Sequence, residues 1–375
     1  MSKPIRIGVI GAGTIAQISH IPYVLDDAER FELAGIADLN EALLKDVADH
    51  HRIEARYSDP QALLDREDID AVIICHSGSH HDSVLAALER GKDILVEKPL
   101  AWNVREAEEI AERVEGSDRI VQMGYHKLYD PAFAVAKQQV ETIEDLGYVR
   151  IAVLHPVAEH YFSHLRLRRG GGVIQEGHKE PGTWAEQLDG FLQGLSGGAL
   201  APLVDEALGK RKDDRRLRQF IGTLNGSLIH SIYMMFGFLG EPIRVRSVQL
   251  WRDTMSLQIL VEYSPELCCC LEWHHLPYLK DYREEYAFYG NRSRVSLHFP
   301  APYFLNSPSP IVVQGGEGEL SWEKKILVSY DEAYRRELRE FHRCVLERKQ
   351  PLANVEDALK HTRFIQQVID HTVLE

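Results

Sequence analysis

The chain has 375 residues, 43 Lys and Arg against 57 Asp and Glu, a formal net charge of −14 and five cysteines. That length exceeds one ordinary hydrophobic core and calls for two domains. With 44% apolar and 27% charged residues, the composition is globular rather than disordered. The acidic balance argues against nucleic acid or an anionic membrane as the main partner, because phosphate is met by clustered Lys and Arg.

Cys75, Cys268, Cys269, Cys270 and Cys344 show no metal-finger spacing, so a reduced, cytoplasmic setting is expected. Ile7-Gly8-Val9-Ile10 runs into a glycine turn without a cleavage-like site, and no targeting segment is read there. The longest apolar stretch, Leu228 to Leu239, contains His230 and is shorter than the roughly 20 residues of a spanning helix. A soluble chain with no membrane partner is expected.

Up to about residue 123, brief Ile/Val/Leu runs alternate with amphipathic stretches. Strands are expected at 5–10, 31–37, 71–75, 94–96 and 120–123. Helices are expected at 14–25, 41–50, 60–64, 82–90 and 104–114. Strands buried on both faces, with helices between them, predict a doubly wound parallel sheet of Rossmann type. The pattern then changes. A helix at 131–144 and a strand at 149–155 lead into an irregular insertion, about 156–224. The charge run 210–216 within it reads as a solvated loop or helix face. Strand-like segments at 244–252, 256–263, 268–275, 285–289 and 294–299 predict an open, mostly antiparallel sheet, and helices at 334–347 and 355–373 close the chain. The fold class is thus α/β. A domain 1–123 would bind a dinucleotide, and an α+β domain 124–375 would serve substrate binding and oligomerisation.

Gly11-Ala12-Gly13-Thr14-Ile15-Ala16 follows the first strand and opens the first helix. Gly11 permits the tight turn, Gly13 lets backbone approach a pyrophosphate, and Ala16 lets helix and strand pack closely. The N–H groups of Thr14 and Ile15 then lie at a positive helix terminus. Asp38 comes 22 residues past Ala16, at the end of the second strand. A carboxylate there accepts from a ribose hydroxyl and repels a 2′-phosphate. It could instead cap the helix that begins at Glu41. No Arg follows it, so the cofactor read is NAD rather than NADP.

The segment 86–101, ending Val96-Glu97-Lys98-Pro99-Leu100-Ala101, closely resembles the glucose–fructose oxidoreductase, inositol dehydrogenase and MocA family. The resemblance continues through Met123-Gly124-Tyr125-His126-Lys127, through 226–242, and through Glu337–Phe341 and Pro351-Leu352-Ala353. It implies an oxidoreductase acting on CH–OH groups of sugars, glycosides or cyclitols, and a homodimer or homotetramer formed through the C-terminal sheet. It also implies that Lys98 lies between nicotinamide and substrate, where an ammonium stabilises a developing alkoxide and relays its proton. His230 would be the second catalytic group, since imidazole takes a hydroxyl proton near neutral pH. By the same resemblance Glu97, Ser77 and His80 belong near the cofactor.

The chain departs from the family in three places. The Asp common four residues before the histidine is Gly226, a later Asp is replaced by Ser231 and Tyr233, and Cys75-His76-Ser77 stands where Thr-Pro-Asn is usual. Tyr125, Lys127 and Tyr233 are therefore candidate substrate contacts, joined by His178 and Trp184 of the insertion. His160 and His164 have the spacing of two imidazoles on one helical face, but such pairs commonly arise without metal, and none is expected. Cys268-Cys269-Cys270 should alternate on a strand, with small apolar thiols facing inward, and the exposed members of Trp273-His274-His275 would face a subunit interface. Two other readings stay open: a glycoside 3-oxidase taking bulky glycosides, and a non-catalytic NAD-binding regulator of the same fold.

Overall fold

The computed structural model describes residues 3–157, 165–170 and 192–373. These form two compact units, one from 3–126 with 165–170 and 334–362, the other from 127–157, 192–333 and 363–373. His160, His164, His178 and Trp184 lie outside the described residues.

The first unit is the doubly wound sheet. Strands β1 (Ile5–Ile10), β2 (Phe31–Ala37), β3 (Arg56–Tyr57), β4 (Ala71–Ile74), β5 (Asp93–Glu97) and β6 (Val121–Gly124) lie in the order β3-β2-β1-β4-β5-β6. Every pairing is parallel. Strands β4 and β5 are buried at every residue, as expected of strands covered on both faces. The chain steps outward from β1 through β2 to β3, then returns to β4 on the other side. This makes the β1/β4 boundary the switch point where such sheets bind ligands.

Helices α2 (Glu41–His51), α3 (Pro60–Leu64) and α5 (Val104–Glu115) begin at side-chain caps, in which Asn40, Asp59 and Asn103 accept from Leu43, Gln61 and Glu106 N–H. Helix α4 (His81–Glu89) completes the series. The first helix differs from the expected regular one: a π-helical turn, Ala16–His20, precedes α1 (Ile21–Asp26). The unit also takes the chain's late helix (Ala333–Glu347, α10 below), whose Leu338, Phe341, Cys344 and Val345 share one core with β1, β2 and α2.

The second unit begins with α6 (Pro131–Val140) and β7 (Tyr148–His155). Helices α7 (Leu200–Leu208) and α8 (Arg215–Thr223) follow, then a second π-helical turn (Leu224–Leu228) and α9 (Ile229–Leu239). Strands β8 (Arg244–Trp251), β9 (Ser256–Ser264), β10 (Leu267–His275), β11 (Arg283–Tyr289), β12 (Ser293–Phe299), β13 (Ile311–Glu317) and β14 (Leu320–Ile326) come next. They join β7 in the order β14-β13-β12-β11-β7-β10-β9-β8. All neighbours are antiparallel except β7 and β10. Helices α10 (Ala333–Glu347) and α11 (Val355–His371) end the chain.

Strands β3, β13 and β14 and helix α7 lie outside the elements expected from the sequence, whereas the charge run at 210–216 is the exposed or half-buried turn and helix start expected of it. Strand β14 is almost wholly exposed, so no apolar period marks it, and it exists because β13 pairs with it at seven positions. The charge run at 210–216 holds a short 3-10 turn and the start of α8, capped by Asp214. Its Arg211 donates to the carbonyls of Ile369 (2.7 Å) and Thr372 (2.8 Å), where a cation complements the C-terminus of α11.

Candidate functional site

The candidate cofactor cradle is assembled at the carboxyl ends of β1, β2, β4 and β5. Gly11 has φ +105°, and a Cβ there would lie 2.5 Å from His76 N, so only glycine fits the turn. A Cβ on Gly13 would meet nothing within 4 Å, which leaves the loop open on the side a pyrophosphate would approach. Thr14 and Ile15 are the first helical residues and are half-buried. Asp38 accepts from Ala12 N–H (2.7 Å) and Asn40 N–H (2.8 Å). The carboxylate therefore ties the glycine loop to the end of β2, and the cap of α2 is Asn40. These residues suit a dinucleotide: backbone donors at a helix start, an uncluttered glycine and one oriented carboxylate.

Beyond β4, Cys75 is buried with its thiol 3.4 Å from Gly11 O. Burial, with the charges of Glu97 and Asp38, pushes the thiol well above its ordinary range, so it stays protonated. Ser77 is exposed at the strand end. The loop is pinned by Trp102 Nε1 donating to Gly78 O (3.2 Å) and Ser79 Oγ donating to Glu106 (2.8 Å). His80 lies inside: its Nδ1 is 2.7 Å from Pro99 O and its Nε2 is 3.0 Å from His76 O. Burial, helped by His76, lowers His80 to about 4. A neutral ring has one N–H for these two carbonyls, and its two contacts tie it to both. His80 thus props the Glu97-Lys98-Pro99 turn from behind.

Glu97 is buried, and its Oε1 accepts from His20 Nε2 (2.9 Å), on the π-helical turn. Burial alone would raise this carboxyl, but the His20 bond and the charges of His20 and Lys98 prevail, and Glu97 falls below its usual value. Lys98 is half-buried at the carboxyl end of β5, where parallel sheets place their reacting groups. The Glu337 carboxyl, which feels the charge of Glu97, is fully buried with neither oxygen hydrogen-bonded. Burial and the charge of Glu97 push it well up, so it is held neutral. Tyr125 is also interior, with its hydroxyl 3.2 Å from His361 Nδ1.

The second unit has its own polar end. Register places Trp273 and Glu284 on either side of Val153, and His275 opposite His155. These side chains share one face of the sheet. Rings of His155 and Trp273 are 5.9 Å apart, those of His155 and Tyr282 5.8 Å, and Trp273 and His275 are parallel at 6.0 Å. Burial lowers His155, and it lowers His275 to about 4, so both imidazoles are neutral. His155 Nδ1 donates to Pro156 O (2.7 Å). Trp273 Nε1 donates to Ser227 Oγ (3.0 Å), on the second π-helical turn.

Lys127 bonds both oxygens of Glu284 at 2.5 Å, and Tyr282 and Tyr286 donate to the same carboxylate at 2.5 and 2.6 Å. Burial would raise Glu284, but Lys127 and the two hydroxyls outweigh it and hold it low. His230 is half-buried, with Nδ1 2.9 Å from the hydroxyl of the buried Tyr233. Position 226 is open space, since a Cβ on Gly226 would meet nothing within 4 Å.

Sequence reasoning did not single out Tyr282 or Glu284. A charged residue in the inward register of Glu284-Tyr286-Phe288 was the available signal. Trp273 and His275 are buried on the inner face rather than exposed, and only His274 of that trio turns to the outer face, beside Trp251 at 5.6 Å. All five cysteines are free thiols. Among the described residues no cluster of three or more His, Cys, Asp or Glu is arranged to hold a metal ion, and no helix is long and apolar enough to cross a membrane.

Residues 5–125 match an oxidoreductase family with an NAD-binding Rossmann fold. The chain is 35% identical over 168 residues to the inositol 2-dehydrogenase of Paracoccus denitrificans, covering 44% of this chain and 50% of that protein. It is 30% identical over 214 residues to the myo-inositol 2-dehydrogenase of Thermotoga maritima, covering 56% and 62%. The matches thus span about half to three-fifths of these relatives. Among solved structures, a 3-ketoreductase from Actinomadura kijaniata in complex with NADP superposes with a TM-score of 0.70 at 18% identity, covering 98% of this chain and 97% of that one. An oxidoreductase from Thermotoga maritima gives a TM-score of 0.71 at 19% identity, covering 98% and 96%. At such identities the likeness shows a shared fold.

Proposed function

From a chain whose residues 5–125 belong to the glucose–fructose oxidoreductase, inositol dehydrogenase and MocA family, we propose an NAD-dependent oxidoreductase acting on a hydroxyl or ketone carbon of a sugar, glycoside or cyclitol. The observation that carries this reading is the cradle at the β1/β4 switch point, with Lys98 at the end of the next strand. NAD supplies, when bound, the carbon that exchanges hydride with the substrate. Gly11, Gly13, Thr14, Ile15, Asp38 and Ser77 would hold it, with Asp38 on the adenosine ribose, and Glu97 and His80 would position the turn that carries Lys98.

Lys98 Nζ stabilises charge developing on the substrate oxygen and carries the proton. His230, oriented by Tyr233, binds or deprotonates the hydroxyl. In the second unit, Trp273 and the neutral His155 and His275 stand on one face of the sheet, an aromatic, uncharged and polar-edged end. That mixture suits a polyol better than a carboxylate or phosphate. Lys127, fully engaged by Glu284, supports this end of the sheet, and Tyr125 supports the interior of the first unit. The missing carboxylate at Gly226 favours a second reading, a catalytically silent NAD-binding regulator.

Turnover followed by NADH absorbance against sugars, glycosides and inositols separates the two. The enzyme reading expects turnover with at least one polyol, and it expects Lys98→Met to lower that rate about 10³-fold while NADH affinity stays within about twofold. A Lys98→Met variant with undiminished turnover removes Lys98 from catalysis. NADH binding without turnover across the panel supports the regulator.

A further inference from the structure

Residues 165–170 come from the insertion, yet they lie on the first unit, across the two loops that make the cofactor cradle. Gln17, on the first π-helical turn, is the hinge of this contact. Its amide donates to Ala12 O (2.9 Å) and Arg168 O (3.1 Å), and its carbonyl oxygen accepts from Arg168 N–H (2.8 Å). One side chain therefore holds both backbone groups of Arg168 and the second residue of the glycine loop.

The Arg168 guanidinium continues to α2, donating to Asp46 Oδ1 (2.6 Å) and meeting His50 Nδ1 (3.0 Å). Two residues on, Gly170 has φ +78° and runs so close to the start of α2 that a Cβ would lie 2.9 Å from Leu43 N. Asp38 sits between the two anchored loops, bonded to Ala12 on one side and Asn40 on the other.

We infer that residues 165–170 form a strap that braces the adenosine end of the dinucleotide site, with Gln17 and Arg168 as positioning residues for the loops flanking Asp38. The inference rests on the NAD reading of the cradle. The strap acts by preorganisation: loops held in place before the ligand arrives lose less freedom on binding. Asp46 matches the Arg168 charge, so the brace orients loops rather than recruiting a phosphate.

The test uses the full chain with Gln17→Ala, Arg168→Ala and Arg168→Lys, and compares fluorescence titrations of NADH with those of reduced nicotinamide mononucleotide, which lacks the adenosine half. Competition by ADP-ribose reports that half alone. Both alanine variants should weaken NADH and ADP-ribose about fivefold and leave the mononucleotide within about twofold. Arg168→Lys, which keeps the cation facing Asp46, should recover most of the NADH affinity. Wild-type NADH affinity in both alanine variants overturns the strap, as does an equal loss for NADH and mononucleotide, which marks general damage to the loop. If the wild-type chain binds neither NADH nor ADP-ribose, the cofactor reading itself falls and the strap with it.

Discussion

The glycine loop of the first unit and the aromatic end of the eight-stranded sheet are put together by opposite routes. The loop is local: Gly11 to Asp38 runs from the end of β1 through one helical stretch and β2, and its polar groups are backbone N–H donors and one carboxylate. The sheet end gathers Lys127, His155, Ser227, Trp273 and Glu284, and its central ion pair joins residues 157 positions apart. A site made of backbone tolerates change in most side chains. A site made of buried side chains hangs on whichever charge cannot be left alone.

That contrast can be broken most forcefully at Lys127. Lys127→Met leaves the Glu284 carboxylate buried with only two tyrosine donors, and should cost about 3–5 kcal/mol at pH 7, read from urea denaturation. The deficit should shrink as the pH falls, because in the variant Glu284 takes up a proton and ceases to be an unmatched charge. A variant as stable as wild type at pH 7 would mean that the pair is not the structural centre of that end.

The cradle should respond in specificity rather than stability. Asp38→Ala removes the carboxylate proposed to repel a 2′-phosphate, and the preference for NADH over NADPH should drop by about tenfold, about 1.4 kcal/mol, as measured by the ratio of dissociation constants. An unchanged ratio removes Asp38 from the cofactor site.

The gentlest perturbation is Glu337→Gln. In the folded protein the raised carboxyl keeps its proton where the unfolded chain would release it. Its contribution to stability is therefore full below the ordinary carboxyl range and declines as the pH rises above it. Glutamine cannot ionise, so the variant should lose part of the decline in stability between pH 5 and pH 8. A pH profile identical to wild type would show that Glu337 is ionised, or paired, in the folded state.

By itself, the sequence determined what short-range physics determines. Ala71–Ile74 is a run of four consecutive apolar residues bounded by polar ones, and Gly11 has φ +105°, a turn conformation that favours glycine over other residues. The alternation of strand and helix to residue 123 and the glycine turn after β1 were legible for that reason, whereas Glu97-Lys98-Pro99 stood out only through the family resemblance. Only tertiary structure decided the rest. The exposed β14 carries no apolar period and is defined by its partner strand. Glu284 is a ligand of Lys127 only through the register of β11 against β7. Asp38 could have capped a helix, and it binds Ala12 because Asn40 takes the cap. Arg168 meets Gln17 across 151 residues. Hydrogen bonds and ion pairs of that range leave no periodic mark on the chain, since either partner alone is an ordinary polar residue that the fold must bring to the other.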